Sequence, residues 1–361
     1  MNRRILFFTS LFLSLFFFSC IDKTQKKGEM IDASQHEFTD WVGLLQIVDT
    51  IPLQQTEESI IGTLDKVIIN DKCILIADNK SGKIYKFAPD GTFLFSAGEL
   101  GHANNEFIRI SDMIMSDDQT KFAILDDRGM LWYELSTGKF LCRDSPFDKD
   151  DYWDKLASDK SGGFYVFSLT GDATIRHFPA HGKEKELRPY KCRQLLTNKF
   201  YEYDGYTCVL PDWGEYTIER IVGDSLEPRY TFNLGEDIIP KTDKPQDLQE
   251  FDLLDNQDNL FRSVLRVFET IDYLYATIVG PKNKYYSIIY NKHTHKVYAG
   301  PSDISTFHNL VAAGDNYFYV IVYPDYVNKN SPLSDYVDNL RDNDFSNPIL
   351  LRVRVKENNN I

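Results

Sequence analysis

A chain of 361 residues with 40 Lys and Arg against 54 Asp and Glu carries a formal charge of −14. It lacks the clustered cationic excess that phosphate neutralisation requires, which excludes an electrostatically driven nucleic-acid binder. Hydrophobic residues at 42% and charged residues at 26% suit a soluble domain with a sizeable core and exclude both disorder and a multi-span membrane protein. The 25 Phe and 21 Tyr, against 5 Met, favour strands over helices, and length alone allows two domains.

At the amino terminus, Asn2-Arg3-Arg4 precedes the apolar run Ile5 to Phe18 and then Ser19-Cys20. The run is 18 − 5 + 1 = 14 residues, whereas a spanning helix needs about 20. A cationic start, a short apolar stretch and a small residue before the cut make residues 1–19 a secretory signal. Phe17-Phe18-Ser19-Cys20 resembles the lipobox of bacterial lipoproteins, whose cysteine is acylated, with Phe17 standing where that motif usually has Leu. The resemblance makes Cys20 the lipidation site.

Residues 20–37 are polar, with Lys23, Lys26, Lys27 and Gly28 and no apolar period, and read as a flexible tether. No acidic cluster follows Cys20. In the Bacteroidota lipoproteins that this start resembles, such a cluster accompanies export to the cell surface, so its absence favours the periplasmic face. Cleavage removes Arg3 and Arg4, leaving 38 − 54 = −16. A net-negative domain is not drawn to anionic lipid, so attachment must be covalent. The remaining cysteines, Cys73, Cys142, Cys192 and Cys208, allow three pairings and contain no CxxC. Cys192 and Cys208 are nearest in sequence, and Cys73, inside an apolar run, reads as a buried free thiol.

From Ile60 the chain repeats. Ile60 to Asp78, then Lys83 to Phe95 through Asp90-Gly91, is answered by Ile110 to Asp126, then Leu131 to Leu141 through Thr137-Gly138. Short β-rich runs joined by tight-turn dipeptides at this spacing are propeller blades. Later units keep the pattern: Ser161 to Phe167 with Thr174 to Phe178; Tyr206 to Leu210 with Tyr216 to Val222 and Arg229 to Phe232; then Val264 to Thr270, Tyr273 to Val279, Tyr285 to Tyr290 and Lys296 to Tyr298. Tyr317 to Tyr323 and Ile349 to Val355 supply the last unit, which Ile47 to Ile51 completes from the amino-terminal side, closing the ring without an open edge. The expected fold is an all-β, six-bladed propeller of four-stranded antiparallel blades, one domain over 38–361. Short helical insertions are expected at Pro245 to Asn256 and Pro332 to Leu340, flanked by exposed loops at Lys241 to Pro245 and Asp342 to Pro348.

The segment Phe93 to Phe107, with Gly98, Gly101 and Glu106-Phe107 after Asp90-Gly91, resembles the inter-blade linker of NHL-type propellers. Ala103 and Asn105 stand where that pattern favours glycine. Over roughly residues 40 to 356 the chain is similar to the six-bladed propeller lipoproteins of Bacteroidota, of NHL-like or TolB-like type. The resemblance implies fold and envelope location, and says little about chemistry because propellers host unrelated functions.

His293-Thr294-His295 and the pair His177 and His181 have metal-like spacing, as in the propeller amidating lyases, which hold zinc with inward-facing histidines. Alignment of Lys292 to Lys296 on Leu135 to Lys139 puts His295 in a hairpin glycine slot, and Pro179 separates the other pair, so no metal and no cofactor is expected. Asp78 and Asp126 recur at strand ends and read as carboxylates that fix blade turns. Neither a Gly-x-Ser-x-Gly elbow nor a phosphate-cradling loop is present.

The candidate ligand-binding set is Glu99, His102, Asn104, Asn105, Arg109 and Asp112, because the loop before an inner strand lies near the channel. Arg109 is read as the start of that strand, paired with Glu106 or Asp112 unless an anionic ligand takes it. The aromatic runs Tyr201 to Tyr203, Tyr285-Tyr286 and Tyr317 to Tyr319 read as inter-blade core rather than sugar platforms. The expected function is non-enzymatic: a membrane-anchored module binding a protein, peptide or glycan through a propeller face. The alternative is an envelope lyase or hydrolase acting in the central channel.

Overall fold

The computed structural model describes residues 28–35, 39–145, 152–168, 173–189, 198–239, 253, 259–302, 309–314, 316–337 and 347–356. The amino-terminal part supplies β1 (Glu29–Asp32), the single-turn helix α1 (Trp41–Leu44) and β2 (Leu45–Pro52). The repeat then folds into blades. Blade 1 is β3 (Lys66–Ile69), β4 (Ile74–Asp78), β5 (Lys83–Phe87) and β6 (Phe93–Ala97); blade 2 is β7 (Asp112–Met115), β8 (Lys121–Asp126), β9 (Gly129–Glu134) and β10 (Phe140–Asp144). Blade 3 is β11 (Trp153–Ser158), β12 (Phe164–Ser168), β13 (Ala173–Phe178) and β14 (Lys185–Pro189). Blade 4 is β15 (Phe200–Tyr203), β16 (Tyr206–Val209), β17 (Thr217–Val222) and β18 (Ser225–Asn233); blade 5 is β19 (Ser263–Glu269), β20 (Tyr273–Val279), β21 (Tyr285–Asn291) and β22 (Val297–Pro301). Blade 6 joins β23 (Leu310–Ala313), β24 (Phe318–Val322) and β25 (Ile349–Val355) to β2.

The first strands β3, β7, β11, β15, β19 and β23 touch one another in that order, and β23 touches β3, so six blades close a ring around one axis. Strand β2 closes it, pairing antiparallel with β25 with Thr50 opposite Leu351 and Ile51 opposite Leu350. Joining the chain's two ends in one blade leaves no open sheet where the ring meets itself.

Burial explains which strands the sequence declared. Every residue of β4 and β24 is buried, because a second strand is covered on both faces by neighbouring blades. The inner strands β11, β15 and β23 carry Asp, Lys, Asn or Glu in or beside them because one side faces the channel, which breaks the apolar pattern. Hairpins follow the expected chemistry. Gly91 and Gly138 have φ of +88° and +72°, and His295 occupies the same slot in blade 5 with φ of +59°.

Several expectations are corrected. Glu29–Asp32 lies in the stretch that composition assigns to the tether, yet it forms a fifth strand of blade 4, parallel to β18, with Glu29 opposite Tyr230 and Asp32 opposite Asn233. Ile31 and, just past the strand, Ala33 are buried in the cluster holding Tyr230, Phe232 and Tyr290, and two buried side chains in so short a stretch are too few to read as a period. Asn347, expected in an exposed loop, is buried and accepts from Ile61 N at 3.0 Å while donating to Ser59 O at 2.7 Å. Arg109 precedes its inner strand, which starts at Asp112.

Within the expected insertion at Pro332 to Leu340, helix α2 spans Ser334–Val337. The other insertion, apart from Leu253, and the loop Lys241 to Pro245 lie outside the described residues, as do residues 1–27 with the signal and Cys20. No helix among the described residues is long and apolar enough to cross a membrane. Cys73 and Cys208 are buried free thiols and Cys142 is an exposed one; Cys192 lies outside the described residues.

Candidate functional site

The six inner strands wall a central channel of about 530 Å³. Its lining is mixed: partly buried Val67, Ile114 and Val311 share it with Asp65, Glu202 and Glu269, and Lys66, Lys155 and Arg266 stand toward the end where the inner strands begin. Two of them lean on the start of β7. Lys66 Nζ lies 2.9 Å from Asp112 Oδ1, and Lys155 Nζ donates to Ser111 O at 3.0 Å with Asp154 Oδ2 at 3.1 Å. The third, Arg266 of blade 5, leans on the start of β23 through a single long bond to Leu310 O at 3.5 Å. Among the described residues no carboxylate forms an ion pair with Arg266. A guanidinium offers five donors in a planar fork that matches a carboxylate, and among the described residues Arg266 is the collar cation without an ion pair.

Asp112 is the residue of the sequence-derived set that reaches the channel rim. It is buried, pairs with Lys66 of blade 1 and accepts from Leu156 N of blade 3 at 2.9 Å, tying three blades together. The other members stay on the linker between blades 1 and 2. There Glu99, His102, Asn104 and Asn105 are exposed, and the loop is held by its backbone. Arg128 donates to His102 O at 2.8 Å and Glu106 O at 2.5 Å, while Arg143 donates to Asn104 O at 3.2 Å and Glu106 O at 2.6 Å. Asp126 positions both arginines, at 3.4 Å from Arg128 Nε and 2.7 Å from Arg143 Nη1. Arg109 pairs with Asp127 at 2.9 Å, rather than with Glu106 or Asp112, and lies over the Tyr152 ring. Apart from Asp112, the sequence-derived set is therefore spread along one exposed loop.

Asp78 accepts from the backbone N–H groups of Gly62, Thr63, Lys80 and Ser81, which makes it the organiser of the turn into blade 1. Burial pushes its carboxyl up, but the bonds from Gly62, Thr63 and Ser81 outweigh this and hold it below the ordinary value of 3.8. His293 bonds Asp272 at 2.8 Å and His295 lies 2.9 Å from Glu29, both largely exposed. His177 is buried between Asp159 at 2.9 Å and Asp224 at 3.2 Å. Of the aromatic runs, Phe318 and Tyr319 are core, Tyr201 donates to Glu269 at 2.8 Å, and Tyr285 is exposed.

A family model described as a domain of unknown function, DUF4934, matches residues 42–354. The chain belongs to the DUF4934 family. Among solved structures, a protein of Bacteroides fragilis predicted to be exported is similar at 18% identity and a TM-score of 0.77, covering 91% of this chain and 100% of that one. A member of the DUF4221 family from Bacteroides vulgatus is similar at 8% identity and a TM-score of 0.51, covering 87% and 99%. At these identities the likeness shows the propeller fold alone. No functionally curated protein matches the sequence.

In this DUF4934 chain, spacing could not reveal the collar, because Lys66, Lys155 and Arg266 come from three blades. Nor could it reveal the buried charges between blades 3 and 4. Lys199 donates to Asp212 at 2.6 Å, Arg188 donates to Asp212 at 2.8 Å, and Arg188 also pairs with Glu219. Burial pushes the Lys199 ammonium below its usual value, against the pull of Asp212. This cluster is satisfied within itself and ties the outer strand of blade 3 to blade 4. The only hint in the sequence was a Lys beside an aromatic run.

Proposed function

We propose that this chain is a lipid-anchored, non-enzymatic binding propeller of the cell envelope, attached through Cys20 and facing the periplasm. In this reading it takes a carboxylate-bearing peptide or glycan at the channel mouth. Arg266 carries the proposal: a guanidinium in the channel wall, with no ion-pairing carboxylate among the described residues, meets a ligand's acid group at little reorganisation cost. Lys66 and Lys155 keep structural partners and set the potential of the mouth. Exposed apolar residues on the same face, Ile60, Leu100, Ile108 and Tyr326, offer a rim for the rest of a partner.

Calorimetry with glutamate-rich hexapeptides and with oligogalacturonates tests this. Binding to the wild-type domain that weakens at least about tenfold in Arg266→Gln, a loss of about 1.4 kcal/mol, supports the reading. Equal affinity of the two proteins sinks it. For the anchor, Cys20→Ala should move the protein from the membrane fraction to the soluble fraction; retention in the membrane overturns that part.

A further inference from the structure

β1 begins beside one face of the propeller. Glu29, the first residue of β1, lies 2.9 Å from His295 and bonds Tyr290, both in or beside the hairpin joining β21 to β22. That hairpin is bonded to the one joining β19 to β20: Lys292 N donates to Asp272 O at 2.8 Å and His293 Nε2 meets Asp272 Oδ1 at 2.8 Å. Both hairpins lie where inner strands end, opposite the mouth that carries Lys66, Lys155 and Arg266. Beside Asp272 stands Ile271, exposed at 51%, and the hairpins of blade 4 add exposed Tyr206 and Val222. Ile271 stands on a turn, and Tyr206 and Val222 stand at the strand ends that border turns, Tyr206 with the Arg220 guanidinium over its ring.

We infer that this hairpin face of blades 4 and 5 lies against the membrane, with Ile271, Tyr206 and Val222 at the headgroup boundary, so that the channel mouth points away from the lipid. The inference rests on the anchored reading above. Eight peptide steps separate Cys20 from Gly28, a reach of at most about 26–29 Å even when extended. β1 runs away from the hairpin face as it pairs with β18, so Glu29 at its amino-terminal end is the end nearer that face. Attraction of charge does not contribute, since the domain is acidic; acyl anchoring and shallow apolar contact do. A ligand would then reach the mouth from the compartment rather than from the bilayer.

The test uses the full lipidated chain on vesicles of phosphatidylethanolamine and phosphatidylglycerol containing a lipid-borne quencher. The background is Cys142→Ser with Cys192→Ser, and an environment-sensitive dye is placed at Ile271→Cys or at Tyr326→Cys on the opposite face. The expected result is emission shifted to the blue at residue 271 and quenched about threefold more strongly than at residue 326. Sixteen Gly and Ser residues inserted between Lys27 and Gly28 should bring the two labels closer to parity while vesicle flotation persists. Equal or stronger quenching at residue 326, with flotation intact, overturns the orientation and leaves the anchor standing. Failure of the unmodified chain to float overturns the anchor, and the orientation with it.

Discussion

Lys66 of blade 1 and Asp112 of blade 2 meet at 2.9 Å on the inner rim, and the other oxygen of Asp112 receives Leu156 N of blade 3. One carboxylate thus fixes the spacing of three inner strands at the mouth of the channel. Asp112→Ala leaves a buried N–H without its acceptor, which costs about 1–3 kcal/mol, with a further share from the lost charge pair. The shift of the urea midpoint measures this; an unchanged midpoint would show that the rim is held elsewhere.

Arg266→Gln should behave in the opposite way. Among the described residues its side chain makes one hydrogen bond, of 3.5 Å, so the urea midpoint should stay within about 0.5 kcal/mol of wild type while affinity for acidic ligands falls. A variant that loses stability instead would mark Arg266 as structural.

Acid unfolding should register Asp78. Its folded pKa is below the ordinary 3.8, so its stabilisation is fully present above the unfolded value and is lost as pH falls through the folded one. The gap in stability between wild type and Asp78→Asn should be widest at neutral pH and should shrink below about pH 4. A gap constant with pH would show that the carboxylate's charge contributes nothing.

Ile31→Ala should cost about 2–5 kcal/mol, because the side chain is fully buried between blades 4 and 5. Met30→Ser, on the exposed side of the same strand, should cost under about 0.5 kcal/mol. Equal effects in thermal melts would mean that β1 does not depend on Ile31 for its docking.

Two glycines separate backbone strain from crowding. Gly223 has φ of +59° with nothing near its missing Cβ, so Gly223→Ala should cost about 1 kcal/mol. Gly91 combines φ of +88° with a Cβ position 2.1 Å from Pro52 O, at the end of the closing strand. Gly91→Ala should cost several times more and weaken ring closure, read as a larger loss of denaturation midpoint.

The propeller was legible in the sequence because second and third strands are covered on both faces. That burial forces apolar runs such as Ile74 to Ala77 and Phe122 to Leu125, while the turns between strands force Gly91 and Gly138. Even the closure by Ile47 to Ile51 was readable, since an amphipathic strand before the first unit has one place to go. The inner strands β11 and β23 and the docked β1 were not, because a channel wall breaks the apolar pattern and a stretch that buries just Ile31 and Ala33 is too short to show one.

The turn roles of Asp78 and of His295 followed from repetition, as local geometry recurs with the repeat. The mouth did not follow. Lys66, Lys155 and Arg266 are separated by whole blades, and the linker residues His102, Asn104 and Asn105 turn their side chains to solvent because Arg128 and Arg143 hold their loop by its carbonyls. Sequence by itself determined fold and topology, which depend on local periodicity and turn chemistry. Ring closure decided which charges converge, because it brings Lys66, Lys155 and Arg266 of three blades to one end of the channel.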